Sequence, residues 1–384
     1  MQIAAVHTAR PPHYYNQEQL LEAFRAMWAM QHHNPRRVEQ LHKAVRVGGR
    51  HLALPMDAYD DLDFTAANNA FIRVGTDLAA EAIQGALDAA GLAPTDVDAL
   101  YFASVTGISA PSIDALLVNR LGLRSDVKRI PIFGLGCVAG AAGTARLNDY
   151  LRGHTDGVAV LVCVELCSLT LQRKDLSIPN LIASGLFGDG AAAVVAVGTD
   201  HPAADQAGQP RVLDTRSRFY PDTERVMGWD IGTTGFSIVL SADVPDMVLA
   251  HARDDVDAFL ADHDLTRADI DTWVCHTGGP KVLQAFETAL ELDDDALALS
   301  WASLENVGNL SSASVLHVLA DTQSQTRPAS GSKALMMAMD DPEVMKVLAE
   351  GSGVNLDKLI AGYAGDEDNQ MTPDIRIKFF HVLQ

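Results

Sequence analysis

A chain of 384 residues, 48% of them apolar and without a low-complexity tract, can bury one large core or two fused ones. Its formal net charge of −21 leaves no basic excess for neutralising phosphates, which argues against nucleic-acid binding and requires any anionic ligand to be caught locally. The opening MQIAAVHTARPPHYYNQ has no basic region leading into an apolar one, and no run of about 18 apolar residues follows, so neither a leader nor a membrane span is expected and the location reads as cytoplasmic. Cys137, Cys163, Cys167 and Cys275 form no C-x-x-C pair and are too few for a disulfide framework, which predicts reduced thiols.

In chain order, residues 1 to about 65 read as irregular and rich in Pro, His and Arg. A helical pattern over 66–92 then leads through a PTDVD turn into the apolar strand ALYFASVTG. The same grammar returns later: Leu87, Leu92, Asp96, Val97 and Asp98 correspond at constant separation to Leu260, Leu265, Asp269, Ile270 and Asp271, which points to an internally duplicated fold. RIPIFGL, GVAVLVCVELCSL, AAAVVAVG, GFSIVLS and KALMMAM are further strand candidates, several alternating with helices, as in α/β sheets buried on both faces. Two halves, 1–198 and 210–384, fit the duplication, with TDHPAADQAGQPR as a surface linker between them.

PIFGLGCVAGAAGTARLNDYL sets Cys137 between a buried strand and an Ala/Gly-rich helix, with Gly134, Gly136, Gly140 and Gly143 permitting a tight elbow. The helix N-terminus offers unpaired N–H groups and a positive dipole end, both of which favour a nucleophilic thiolate. A small buried cysteine is the plain alternative. Such a nucleophile needs a base and oxyanion donors from other loops. His276, in WVCHTGGP, ends a strand, and Asn309, in ENVGNLSSASVL, precedes a helix; alone, each reads as a structural histidine and a cap. Cys163 and Cys167, four apart on a strand, fall on one face of a buried sheet, so no metal site is expected.

Together GLGCVAGAAG, CHTGGP and VGNLSSASV, in that order and at those separations, resemble the Cys, His and Asn motifs of the type III polyketide synthases, the chalcone and stilbene synthase family. LFGDGAAAVV resembles the family's segment with a gatekeeping phenylalanine, here Phe187. The likeness covers about residues 65–339, and GLGCVAGAAG with SVTGISAPSIDALLVNRLGL is more similar to bacterial alkylresorcinol and alkylpyrone synthases than to plant enzymes. It implies a thiolase-like duplicated αβαβα layered fold with two mixed five-stranded sheets, and a homodimer.

The resemblance further implies that Cys137, paired with His276, carries an acyl group taken from an acyl-CoA starter. Malonyl-CoA would lose carbon dioxide near Phe187, and His276 and Asn309 would stabilise the enolate that extends the chain. Repetition and cyclisation would give pyrones or resorcinols, with coenzyme A thioesters as substrates and no cofactor or metal. Thr106, Ala110, Cys167, Thr170 and Ser311 fall on cavity-lining segments. The second gatekeeper position carries Ile238 instead of an aromatic, which implies room for a medium or long apolar starter. Lys43, Arg46 and Arg50 form a basic cluster that could clamp coenzyme A phosphates, or a solvated face.

Thr277 replaces the proline usual after the family's histidine, and the Gly-Pro-Gly loop expected after KALMMAM is missing. Either residues 341 to about 371 are a helical insertion and IRIKFFHVL supplies the last strand, or the altered tail leaves the sheet short of a strand and the protein impaired. The remaining alternatives are a single-round condensing enzyme of the ketoacyl-ACP synthase III type and a non-catalytic homologue.

Overall fold

The computed structural model describes residues 1–28, 34–204, 209–326, 328–340 and 343–350. The first half contains strands β1 (Gln2–Ala9), β2 (His13–Asn16), β3 (Gly49–Leu52), β4 (Ala99–Ala103), β5 (Lys128–Ile132), β6 (Val158–Leu166) and β7 (Asp189–Val197). Its helices are α1 (Gln17–Trp28), α2 (Pro35–Ala44), α3 (Phe64–Ala90), α4 (Ile113–Leu121), α5 (Ala139–Gly153) and α6 (Ile178–Leu186). The second half contains β8 (Arg211–Phe219), β9 (Met227–Gly232), β10 (Gly235–Leu240), β11 (Thr272–Cys275), β12 (Lys333–Asp340) and β13 (Glu343–Glu350), with helices α7 (Val244–Ala261), α8 (Pro280–Leu290), α9 (Ala298–Val307) and α10 (Ser314–Asp321).

Strand β6 shows how the layers arise. Its alternate residues Val160, Val162 and Val164 join the core under α3, whereas Ala159, Leu161 and Cys163 join a second core with α5 and α10. Val274 and Met336 close that second core from the far side, and Trp273, Cys275, Leu335 and Met337 join a third core with α7 and α8. Three apolar cores thus separate five layers, the expected αβαβα stack, with α5 and α10 in the middle.

The strand order is β11-β12-β13-β8-β1-β7-β6-β4-β5. β1 and β8 meet at the single pair Gln2–Arg211, so the sheet divides there into five strands and four. The expectation of five strands in each half is not met in the second among the described residues: where β5 has its counterpart, the acidic run around Asp293–Asp295 forms turns, consistent with the poor strand propensity of Asp. Elsewhere the repeat holds at single hydrogen bonds. The Asp98 carboxylate accepts the Val158 N–H at 2.8 Å, opening β6, and the Asp271 carboxylate accepts the Lys333 N–H at 2.8 Å, opening β12. In return the Asp98 N–H donates to Val158 O and the Asp271 N–H to Lys333 O.

Five sequence expectations need correction. The first 65 residues are not irregular: β1 pairs antiparallel with β7, and α1 buries Leu20, Phe24 and Trp28 at four-residue spacing. β5, expected to be buried, is an edge strand with mostly exposed residues, and GFSIVLS lies in a separate β9–β10 ribbon. Residues 343–350 are not part of a helical insertion; they form β13, antiparallel to both β12 and β8, and so supply the strand the altered tail was expected to cost. IRIKFFHVL lies outside the described residues. The linker between halves is partly packed, with Ala203 and Ala204 buried and Gln209 donating to Ala4 O. No helix among the described residues is long and apolar enough to cross a membrane.

Candidate active site

Cys137 sits in a single 3-10 turn, Gly136–Val138, that runs directly into α5. Gly136 has φ +52°, a left-handed backbone that a β-substituted residue adopts only under strain. One turn later, a Cβ at Gly140 would collide with the Ser312 carbonyl oxygen, so this glycine lets α5 pack against the loop that bears Ser311. The Cys137 thiol is buried and donates to Ser311 Oγ at 3.6 Å.

His276 follows the last residue of β11. Its N–H donates to Met337 O at 2.9 Å in β12, a strand that also packs against the Cys137 turn. The imidazole is buried, its Nδ1 has no hydrogen-bond partner, and burial pushes its pKa down to about 3. Burial thus favours the neutral form of this imidazole.

Asn309 ends the turn after α9. Its N–H donates to Leu186 O and its carbonyl accepts the Gly188 N–H, both at 2.9 Å, forming an isolated parallel bridge with Phe187. Its side-chain Oδ1 accepts the Ser311 N–H at 2.7 Å and the Ser314 hydroxyl at 3.3 Å. The Ser311 amide can only donate, which fixes the carboxamide orientation and leaves Nδ2 as the donor end.

A cavity of about 220 Å³ is lined by Cys137, Ser311, Cys167, Phe187, Ile238 and Trp229, among others. A second, of about 90 Å³, shares Cys167, Phe187, Ile238 and Trp229 with it and adds Thr170 and Arg50. Neither His276 nor Asn309 lines these cavities. Cys167 is not on the face of β6 with Cys163: β6 ends at Leu166, and Cys167 opens a 3-10 turn that carries it to the cavities. Thr170 Oγ1 caps that turn by donating to Cys167 O at 2.8 Å.

Other expected residues lie elsewhere. Thr106 is buried behind the cavity, donating to Glu165 Oε2 at 2.9 Å and accepting the Leu166 N–H. Ala110 is exposed on the chain surface and lines neither cavity. Lys43 is exposed and paired with Glu39 at 2.8 Å, and Arg46 lies over the Trp301 ring at 5.1 Å. Arg50 does not join them: it is buried, and its guanidinium points inward to the Ser184 and Phe187 carbonyls.

Sequence reading missed Glu165 and Trp229. Glu165 is fully buried, accepting from Val105 N–H, Thr106 and Ser104 on Oε2 and from Ser311 and Ser312 on Oε1. Burial raises its carboxyl to about 7 despite those donors. Its signal was a single charge inside an otherwise continuous apolar strand. Trp229 pairs across the β9–β10 ribbon with Ile238, so it restores aromatic bulk where Ile238 alone implied open space. Among the described residues no cluster of His, Cys, Asp and Glu could hold a metal.

Residues 1–201 match the N-terminal domain of chalcone and stilbene synthases, and residues 212–362 match the C-terminal domain. The chain is 54% identical over 338 residues to the 1,3,6,8-tetrahydroxynaphthalene synthase of Streptomyces peucetius subsp. caesius, covering 88% of this chain and 89% of the relative. It is 33% identical over 327 residues to a putative chalcone synthase of Bacillus subtilis (strain 168), covering 83% and 90%. The crystal structure of 1,3,6,8-tetrahydroxynaphthalene synthase from Streptomyces coelicolor A3(2), described as a bacterial type III polyketide synthase, superposes with a TM-score of 0.86 at 29% identity, covering 92% of this chain and 100% of that one.

Proposed function

Since the chain belongs to the chalcone and stilbene synthase family and is a type III polyketide synthase, an acyltransferase that condenses malonyl-CoA, we propose that Cys137 carries the growing chain and that the product is a small malonyl-derived polyphenol of the tetrahydroxynaphthalene type. The observation that carries this reading is the placement of the Cys137 thiol on a cavity shared with Ser311, Phe187 and Trp229.

His276 takes the Cys137 proton as the sulfur attacks a thioester carbonyl, and returns it to the coenzyme A sulfur as that thiol leaves. The bound malonyl group then breaks its bond to the carboxylate, which departs as carbon dioxide from a site lined by Phe187 and Trp229, where a charge is poorly solvated. The electron pair left behind forms an enolate, stabilised by N–H donors on Asn309 and His276. Enolate attack on the acyl-Cys137 carbonyl forms the new carbon–carbon bond and releases the Cys137 thiolate for another round. The steps use coenzyme A thioesters alone.

The long apolar starter expected from Ile238 finds no support in the 54% identical relative, and Trp229 lines the same cavities beside Ile238. Tetrahydroxynaphthalene has ten ring carbons, five two-carbon units, and four oxygens, the fifth leaving as water in ring closure. Short malonyl-derived units meet that count. The same reading takes the enzyme as a cytoplasmic homodimer built from halves 1–198 and 210–384, the latter supported by the matched Asp98 and Asp271 hydrogen bonds. Incubation with malonyl-CoA alone, followed by mass spectrometry, tests the proposal: a naphthalene product is expected, whereas products formed only when a long acyl-CoA is added would reject it.

A further inference from the structure

We propose that Arg50 is a positioning residue that holds Phe187 and Asn309 in common register, an inference that rests on the roles given to Asn309 and Phe187 above. Arg50 projects from β3, and its side chain is only 2% exposed. Its guanidinium donates to Phe187 O at 2.8 Å and also to Ser184 O, carbonyls left over at the end of α6. Among the described residues no carboxylate lies within ion-pair distance of it, and its Nε has no hydrogen-bond partner. Burial pulls even this guanidinium down to about 10, with Asp189 opposing from a distance. A buried cation so incompletely paired is a poor stabilising device, since apolar replacements of such groups are often neutral or better.

Its position accounts for its presence. The bridge between Phe187 and Asn309 is made by the Asn309 N–H to Leu186 O and the Gly188 N–H to Asn309 O, and the Arg50 side chain lies alongside both strands of that bridge. A Cβ on Gly188 would stand 3.4 Å from Arg50 Cβ, and one on Gly308 would stand 3.4 Å from Arg50 Cδ. The chain leading into β3 is itself tied to α9, through the Gly48 N–H to Glu305 O at 2.8 Å. The planar fork of Arg50 therefore holds the end of α6, which presents Phe187, while its aliphatic stem lies beside Gly308 at the end of α9, which presents Asn309. A lysine can place one charge there but cannot span both carbonyls in a fixed plane.

The test compares wild type, Arg50→Met and Arg50→Lys in the full-length protein. Three quantities are read: acylation of Cys137 by an acyl-CoA, decarboxylation of malonyl-CoA, and hydrogen exchange of peptides spanning 184–190 and 306–312. Both variants are expected to acylate Cys137 within about twofold of wild type. Decarboxylation is expected to fall on the order of 10- to 100-fold, the scale set by small misplacement of a catalytic group. Exchange at the Gly188 and Asn309 amides is expected to quicken about tenfold or more, the sign of a loosened local bridge. Unchanged exchange in a folded variant overturns the proposal whatever the enzyme turns over, and so does a parallel fall of acylation and decarboxylation. Should wild type fail to decarboxylate malonyl-CoA, the catalytic reading fails, and the exchange measurement still decides whether Arg50 holds the bridge. If Arg50→Met does not fold, Arg50→Lys, which keeps the buried charge, carries the same comparison.

Discussion

The Cys137 thiol donates to the Ser311 hydroxyl at 3.6 Å, and that hydroxyl donates onward to Glu165 Oε1 at 3.4 Å. The proposed nucleophile is thereby connected through a hydroxyl to a buried carboxyl that burial raises to about 7. The ratio of cyclised products to early-released acids should accordingly change across pH 6 to 8 in the wild type, since the proton on Glu165 changes there. Glu165→Gln, which keeps the shape and cannot titrate, should flatten that response. Product profiling over pH checks this, and an unaltered pH response in the variant would count against it.

Asn309→Ala removes the side-chain amide proposed to stabilise the enolate. Malonyl-CoA decarboxylation should fall about 10²–10³-fold, the usual effect of losing one such donor, while acylation of Cys137 persists. The substitution also strips an acceptor from the Ser311 N–H and the Ser314 hydroxyl, at about 1–3 kcal/mol for each buried donor left unpaired. A thermal melt beside the kinetic assay separates the two effects.

Gly140→Ala would force a methyl against the Ser312 carbonyl oxygen. Overpacking of this kind costs about 1–3 kcal/mol. Because α5 starts immediately after the Cys137 turn, the displacement also moves the thiol, so condensation should drop more than the melting temperature implies.

Stability should have a defined pH dependence. Burial lowers His42, His276 and His317 from 6.5 to about 3, so between those values the unfolded chain binds protons that the folded chain refuses, and stability is lost as pH falls through that window. Glu165 and Asp189 act in the opposite sense. Their folded values are raised to about 7 and about 6, and the stability they contribute is lost as pH rises from their unfolded values of 4.5 and 3.8. Above about pH 4.5 the two carboxyls offset only part of the effect of the three histidines, so stability still rises gently with pH and levels off above about pH 7, and below about pH 4.5 the histidines dominate, giving a steep loss. Urea midpoints across this range test the prediction; unchanged stability from about pH 5 down to pH 3.5 would contradict it.

The Cys137 and Asn309 motifs were legible because each sits where the backbone demands particular residues: Gly136 and Gly140 around Cys137, and the turn at Asn309. The duplication was legible through Asp98 and Asp271, whose carboxylates do the same backbone work twice. β13 was not. Met, Lys, Leu, Ala and Glu in EVMKVLAE favour helices, and pairing on both sides with β12 and β8 overrides that local preference. Arg50 was misread with Lys43 and Arg46 because sequence proximity does not reveal that a strand turns one of three basic residues into the interior. The pocket inferred from Ile238 was incompletely legible for a similar reason, since its cross-strand partner Trp229 is known only once the ribbon is paired.

The central claim is that Cys137 bears the growing chain, and intact-protein mass spectrometry after rapid acid quench of a malonyl-CoA reaction tests it most directly. Acyl adducts that map to the peptide containing Cys137, and that vanish in Cys137→Ala along with all product, are the predicted result. Product formation by Cys137→Ala, or adducts mapped to another residue, would contradict the account.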